Sequence, residues 1–216
     1  MPSLETFTLY FTAAFMLAIT PGPGMFYVLT RSIKGGQREG YASSFGTAIG
    51  GMFHVFAAAL GLSAILATSA LAFNLIKYLG AAYLVFLGVR MLMKTEALDL
   101  TESSEAPSTH YRRALTQGIV TEMLNPKTAL FFLAFIPQFI NLAEPVVVQF
   151  IALGSLSVFL NTSADLIVAT LAGPIATQLR QRASLRHAQR IFSGGGLIAL
   201  GAYVALWGGE ASSTAG

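Results

Sequence analysis

The chain has 216 residues, of which 54% are hydrophobic and only 11% are charged, and its formal net charge is +3. A typical soluble domain carries roughly 25% charged residues. The composition therefore argues against a soluble enzyme and against a disordered chain. Because cysteine is absent, disulfides, thiolate catalysis and cysteine-based zinc sites are also excluded.

Long apolar stretches dominate the sequence, and a membrane-spanning helix needs about 20 such residues. The six predicted spans are, in chain order, 7–29, 41–67, 75–93, 114–140, 146–173 and 191–209. Polar residues in the fourth and fifth stretches weaken their signal, so a five-helix arrangement is the main alternative. No Lys or Arg precedes Arg31, which argues against a signal peptide. We expect the first stretch to be retained as a helix.

The basic residues are concentrated in three of the connections between these spans. They are Arg31, Lys34 and Arg38, then Arg90, Lys94, Arg112 and Arg113, and finally Arg180, Arg182, Arg186 and Arg190. By the positive-inside rule, these three connections face the cytoplasm and both termini face outward. The basic charge is thus explained by topology and by contact with anionic lipid. A nucleic-acid partner is not expected, because no contiguous basic patch is visible.

The predicted spans divide into two sets of three. We expect a first three-helix repeat at 1–93, a cytoplasmic linker at 94–113, and a second three-helix repeat with a short outward tail at 114–216. An odd number of helices places the second set upside down relative to the first. The predicted fold class is therefore an all-α, polytopic membrane protein with six transmembrane helices in two inverted repeats, an arrangement common in secondary transporters.

A constant offset in residue number between the two halves supports this repeat. Pro21 and Pro126 are 105 residues apart, and the same shift carries 41–67 onto 146–172. Each set of helices would then contain a proline break at the same place, followed by a span of the same length.

The two breaks are the first candidate functional elements. Their residues are Thr20, Pro21, Gly22, Pro23 and Gly24 in the first span, and Asn125, Pro126 and Lys127 in the fourth. Each proline lacks an amide and clashes with the carbonyl four residues earlier, so the carbonyls of Leu17 and Ile19 lose their helical partners. Irregular backbone at membrane depth is tolerated where it is buried in protein or lines a wet cavity. The amides near Gly24 would suit a substrate carboxylate; a plain proline kink is the alternative.

Three charged residues also fall inside predicted spans, where an ionised group costs at least a few kcal/mol. They are Glu122, Lys127 and Asp165. Asn161 is one helical turn before Asp165, so the two share a face, and we expect both to line a cavity and Asp165 to meet Lys127 or a substrate ammonium. A fixed Lys127–Asp165 ion pair is the structural alternative. Candidates for proton coupling are Asp165, Glu122 and His54, although His54 could equally be a neutral histidine bonded to a neighbouring helix.

Other features predict packing rather than chemistry. Gly46 and Gly50 form a small-residue pair, and Gly194 and Gly201 belong to a small-residue face, so close helix contacts are expected at both places. Tyr10 is near a helix end and is expected at the membrane interface. There is no phosphate-binding loop, no nucleophile elbow and no histidine cluster, so neither an enzyme, a cofactor nor a metal site is predicted.

Several motifs together resemble one known family. They are Thr20-Pro21-Gly22-Pro23, the basic loop with Gly35 and Gly36, Gly46 to Gly61 around His54, Gly80 to Gly88, Asn125-Pro126-Lys127, Phe131-Phe132 and Pro137-Gln138-Phe139. Over nearly the whole chain, the sequence resembles the LysE/RhtB family of amino-acid exporters. The resemblance implies a bacterial inner-membrane exporter of amino acids or close derivatives, such as homoserine, homoserine lactone or threonine, driven by the proton gradient.

The leading hypothesis is therefore a secondary transporter that works by alternating access, with protons and a small amino-acid-like molecule as its partners in the bilayer. The sequence leaves the oligomeric state open, with a homo-oligomer as one alternative. The alternatives are a membrane scaffold or assembly subunit that transports nothing, and an exporter of a different small cation.

Overall fold

The structure, a computed structural model, describes residues 4–68, 70–93, 110–141, 143–175 and 183–207. Within these ranges every regular element is a helix and none is a strand. The α-helices named below are α1 (Leu4–Ile19), α2 (Pro23–Thr68), α3 (Ala70–Met93), α4 (His110–Met123), α5 (Pro126–Leu130), α6 (Val146–Thr170) and α7 (Ala183–Trp207). The predicted all-helical character is thus confirmed.

Two of the helices are interrupted or extended in unusual ways. α2 contains one non-helical residue, Gly36, at φ 78°. α5 continues as a π-helical segment, Phe131–Phe135, and then as a short 3-10 helix, Ile136–Phe139. The prolines at 21 and 126 fall where α1 gives way to α2 and where α4 gives way to α5, so both predicted breaks are present.

The first basic connection differs from its prediction as a loop between two spans. Residues 31–35 and 37–38 are helical, and the chain changes direction at Gly36 alone. A positive φ is readily adopted only by glycine, so one residue is enough for the change. Arg31 Nε lies 3.5 Å from Glu39 Oε2 across this point. The ion pair joins the two parts of α2.

The predicted boundaries of the second half also change. α4 begins at His110, before the predicted span at 114, so 110–113 belong to a helix and not to the linker. The rest of the linker, 94–109, lies outside the described residues. α7 begins at Ala183, earlier than the predicted 191.

Length and apolar composition identify two helices in the described ranges that could cross a membrane, Pro23–Gly61 and Val146–Thr170. A third span is formed if Tyr111–Met123 and Pro126–Phe139, which are bent by 43°, are counted as one. Phe7–Ile19 is apolar but shorter, because the first proline break ends α1. The arrangement in six spans stays a prediction.

The helices pack in two groups, with α2 against both α4 and α6, and α3 against α7. The α2–α4 contact is made by backbone on both sides. A Cβ on Gly50 would lie 2.6 Å from the carbonyl oxygen of Ile119, and one on Gly118 would lie 2.8 Å from that of Ser43. Gly46 faces the carbonyl of Leu115. Glycine is therefore required along this contact, as predicted for Gly46 and Gly50.

The α3–α7 contact is similar. A Cβ on Gly194 would lie 2.8 Å from the carbonyl oxygen of Gly88, and one on Gly201 would lie 2.6 Å from that of Ala81. The predicted packing role of Gly194 and Gly201 is thus confirmed. Gly195 has nothing within 4 Å of the corresponding position, so the close contact does not extend to every glycine of the run.

An aromatic cluster around Tyr10 fills the core between α1, α6 and the π-helical segment. Tyr10 is fully buried, and its ring lies 6.3 Å from those of Phe131 and Phe135 and 5.2 Å from that of Phe139. Its hydroxyl donates to the carbonyl of Leu153 at 2.8 Å. The expectation that Tyr10 lies at the membrane interface is wrong, because a hydroxyl with a protein acceptor can be buried without loss.

Candidate functional site

The first break joins α1 to α2 through Thr20, Pro21 and Gly22. Pro21 leaves the carbonyl of Leu17 without an amide four residues later. The ammonium of Lys127 donates to this carbonyl at 3.2 Å and to the carbonyl of Thr20 at 2.8 Å. The lysine stem lies against Gly22, where a Cβ would be 3.1 Å from its Cε. A side chain more than 100 residues away thus completes the first break.

The second break joins α4 to α5 and contains its own cap. The side chain of Asn125 accepts from the amide of Lys127 at 3.1 Å, which is the usual N-cap arrangement. Glu122 accepts from Asn125 Nδ2 at 3.0 Å through one carboxylate oxygen and from the Thr128 hydroxyl at 2.5 Å through the other. Both oxygens of Glu122 are therefore engaged within the same stretch of chain.

The carbonyl freed at the second break is also paired with a distant side chain. Pro126 removes the amide that would bond to the carbonyl of Glu122, and His54 Nε2 lies 3.0 Å from that oxygen. A carbonyl can only accept, so Nε2 carries the proton. Of the two interpretations of His54 that the sequence left open, this contact matches a histidine bonded to a neighbouring helix.

Asp165 is buried in α6 and accepts from the Thr47 hydroxyl of α2 at 2.9 Å. The same hydroxyl is 2.9 Å from the carbonyl of Ser44, and its single proton serves one acceptor at a time. Asn161, on the same face, donates to the carbonyl of Ser157 at 2.9 Å. The α6 part of the site is thus connected to α2 through a threonine.

These groups surround a small cavity that is partly open to its surroundings. Its polar lining comes from Thr47, Glu122, Asn125, Lys127, Thr128, Asn161, Thr162 and Asp165, and its other lining residues are Ala18, Gly24, Met25, Ala48, Gly51, Phe132 and Val158. The charged side chains are buried, with 6% of Lys127 and 6% of Asp165 exposed. The cavity lies where α1, α2, α4, α5 and α6 meet.

Six of the eleven residues predicted for binding and translocation line this cavity, namely Gly24, Glu122, Asn125, Lys127, Asn161 and Asp165. The other five, Thr20, Pro21, Gly22, Pro23 and Pro126, form the backbone breaks beside it without lining it. Among the described residues no Lys127–Asp165 ion pair is formed, since Lys127 donates to carbonyls and Asp165 accepts from Thr47. No group of three or more His, Asp or Glu side chains in these ranges could hold a metal ion.

The chain was compared with known proteins. The model of the LysE type translocator family matches residues 15–208. The chain belongs to the LysE type translocator family. It is therefore a membrane protein of a transporter family.

Curated relatives agree with this assignment. The translocator is 35% identical over 154 residues to the uncharacterized membrane protein YrhP of Bacillus subtilis, covering 68% of this chain and 73% of the relative. It is 30% identical over 190 residues to the homoserine/homoserine lactone efflux protein of Salmonella typhimurium, covering 88% and 91%. The protein of the same name from Salmonella typhi is 29% identical over the same length. No solved structure matches the translocator.

Three threonines that line the site, Thr47, Thr128 and Thr162, were missed by the sequence interpretation. Thr128 directly follows the Asn125-Pro126-Lys127 motif, so extending the motif by one residue would have included it. Thr47 carries no comparable signal, because it is one of several small polar residues in α2. Only the packing of α2 against α6 brings it to Asp165.

Proposed function

We propose that this translocator is a secondary-active exporter of amino acids or close derivatives, of the homoserine, homoserine lactone and threonine class, in the bacterial inner membrane. The observation that carries the proposal is the cavity at the two helix breaks, which is lined by three buried charged side chains, Glu122, Lys127 and Asp165. Such side chains at membrane depth typically mark a substrate or ion pathway. The two Salmonella relatives named as efflux proteins support the substrate class.

We further propose that the transporter has six spans in two inverted repeats, with both termini outside. The packing of α2 against α6 and of α3 against α7 supports this arrangement, because each pair joins helices from the same place in the two proposed repeats. Alternating access then involves rocking of one repeat against the other around the central cavity.

Within the cavity, Asp165 is the proposed site for the substrate ammonium or the coupling proton. One of its oxygens accepts from Thr47, and the other takes no hydrogen bond from the described part of the chain. Glu122, the second coupling candidate, has both oxygens occupied, and His54, the third, is bonded to a backbone carbonyl. Asp165 is therefore the carboxylate with a free acceptor, and the backbone amides at Gly24 remain candidates for the substrate carboxylate.

Export from cells tests this proposal. Cells that produce the protein are loaded with threonine-containing dipeptides, and threonine in the medium is followed for the wild type and Asp165→Asn. The amide keeps an acceptor for Thr47 but removes the charge, so we expect export to fall by about tenfold or more. Glu144→Gln makes the same chemical change at an exposed position and should export at the wild-type rate.

Three results would contradict the proposal. Unchanged export by Asp165→Asn would remove Asp165 from the pathway. If the wild-type protein in proteoliposomes moved no amino acid and no proton but always copurified with one partner, it would be a scaffold. Flux of a small cation without any amino-acid flux would identify the protein as an exporter of a different small cation.

A further inference from the structure

The cavity contains two opposite charges that do not neutralise each other. Lys127 and Asp165 both line it, and both are 6% exposed. In the described part of the chain their contacts are to uncharged groups: two backbone carbonyls for Lys127 and one threonine hydroxyl for Asp165. A structural ion pair would be expected to form directly, because separated buried charges are costly. Lys127 and Asp165, which do not contact each other, are therefore candidates to bind a ligand.

Each of the two groups has bonding capacity left. A lysine ammonium has three N–H donors, and the structure shows acceptors for two, the carbonyls of Leu17 and Thr20. A carboxylate accepts through both oxygens, and one oxygen of Asp165 bonds to Thr47. Glu122 differs from both, because Asn125 and Thr128 occupy its two oxygens. The cavity thus has one donor and one acceptor of full charge available.

We propose that these groups bind the two ends of a zwitterion, with the third N–H of Lys127 on the substrate carboxylate and the open oxygen of Asp165 on the substrate ammonium. This inference rests on the proposed export function. It makes Lys127 a specificity-determining residue. An amino acid uses both charges, whereas a lactone, whose carboxyl group is closed into an ester, uses Asp165 alone.

The difference between the two substrates provides the test. Purified wild type, Lys127→Met and Asp165→Asn are reconstituted into proteoliposomes, and initial efflux rates are measured for homoserine and homoserine lactone at one mildly acidic pH. Lys127→Met should lower the ratio of homoserine efflux to lactone efflux by about tenfold, since only homoserine loses a charge-assisted hydrogen bond. Asp165→Asn should reduce both, because both substrates carry the ammonium.

Further variants separate binding from folding. Lys127→Arg retains the charge and its donors and should keep the preference of the wild type. If Lys127→Met does not fold, Lys127→Gln carries the same comparison, because its amide offers two N–H donors for the carbonyls of Leu17 and Thr20 without the charge. Melting temperatures in detergent identify which variants are folded.

The outcomes are distinguishable. Equal loss of both substrates in a folded Lys127 variant would show that the lysine only holds the helix break, and unchanged homoserine efflux would show that it binds no carboxylate. Either result overturns this inference while the export function stands. If the wild type moves neither substrate, the export function fails and the inference fails with it.

Discussion

The two helix breaks begin alike and are completed differently. In each, a proline removes the amide that the carbonyl four residues earlier would use, that of Leu17 at the first break and that of Glu122 at the second, and the amide three residues later bonds to that carbonyl instead. Each of these carbonyls is also paired with a side chain from the other half of the chain, Lys127 for the first and His54 for the second. The pairing is reciprocal, although the two side chains are unrelated.

The difference lies in what each break supplies for itself. The second contains Asn125 as an N-cap and holds Glu122 by two hydrogen bonds from within the same stretch. At the first, the Thr20 hydroxyl donates back to the carbonyl of Met16 and leaves the start of α2 uncapped by that side chain. A break rich in proline and glycine therefore depends on polar groups from elsewhere, whereas one with asparagine, glutamate and threonine is largely self-sufficient.

The largest expected effect comes from a single substitution that disturbs both breaks. In Gly24→Val the new side chain at the first break would overlap the Glu122 carboxylate at the second. Displacing that carboxylate from Asn125 and Thr128 adds unpaired buried groups to the overpacking, so we expect the free energy of unfolding in micelles to fall by about 3 kcal/mol. Gly61→Val, in the same helix with nothing within 4 Å, is the control. Equal loss in both variants would mean that helix propensity explains the effect.

The reciprocal pairing predicts that a substitution in one half loosens the break in the other. Lys127→Met leaves the carbonyl of Thr20 without a donor and that of Leu17 with the Thr20 amide alone, at a cost of about 2 kcal/mol, so amide hydrogen exchange over 16–26 should accelerate by roughly 30-fold. His54→Phe removes one donor and should accelerate exchange over 122–130 by roughly fivefold. Peptide-resolved mass spectrometry measures both. Exchange that rises only near the substituted residue would contradict the reciprocal pairing.

The smallest expected effect concerns the internal support of the second break. Thr128→Val removes the hydroxyl that donates to Glu122, and we expect a loss of about 1.5 kcal/mol in the free energy of unfolding. Thr128→Ser should restore most of it because the donor returns. Thr12→Val is a matched control, since the Thr12 hydroxyl is exposed and bonds within its own helix. If Thr128→Val and Thr12→Val lost the same free energy of unfolding, Asn125 alone would stabilise the second break from within.

The sequence was informative where backbone chemistry decides the structure. Pro21 and Pro126 located both breaks, because a missing amide deprives the carbonyl four residues earlier of its helical donor whatever the surroundings. Gly46 and Gly50 predicted a close helix contact for a similar reason. The carbonyl of Leu17 was predicted to lose its helical partner, but it accepts from the Thr20 amide as well as from Lys127. The second carbonyl that Lys127 reaches belongs to Thr20 and not to Ile19.

Side-chain placement was much less predictable. In a helix that is apolar on all faces, hydrophobicity does not show which face meets protein and which meets lipid. Tyr10 was therefore expected at the interface and is buried, and Thr47 was not distinguished from its neighbours although it bonds to Asp165. Gly36 was misjudged because a loop of several residues and a single residue of positive φ have the same glycine-rich sequence.

The reciprocal pairing also bears on how the chain is made. Chains enter the membrane during synthesis from the N-terminus onward, so the carbonyl of Thr20, which in the described residues accepts from Lys127 alone, is present long before Lys127 has been added. Until then its hydrogen-bond donor must be water or the insertion machinery. When Lys127 arrives, the first break is completed, and His54, already in place, gives the carbonyl of Glu122 a second donor beside the amide of Asn125. Coexpressed halves would therefore have to assemble before either break reached its final hydrogen bonding.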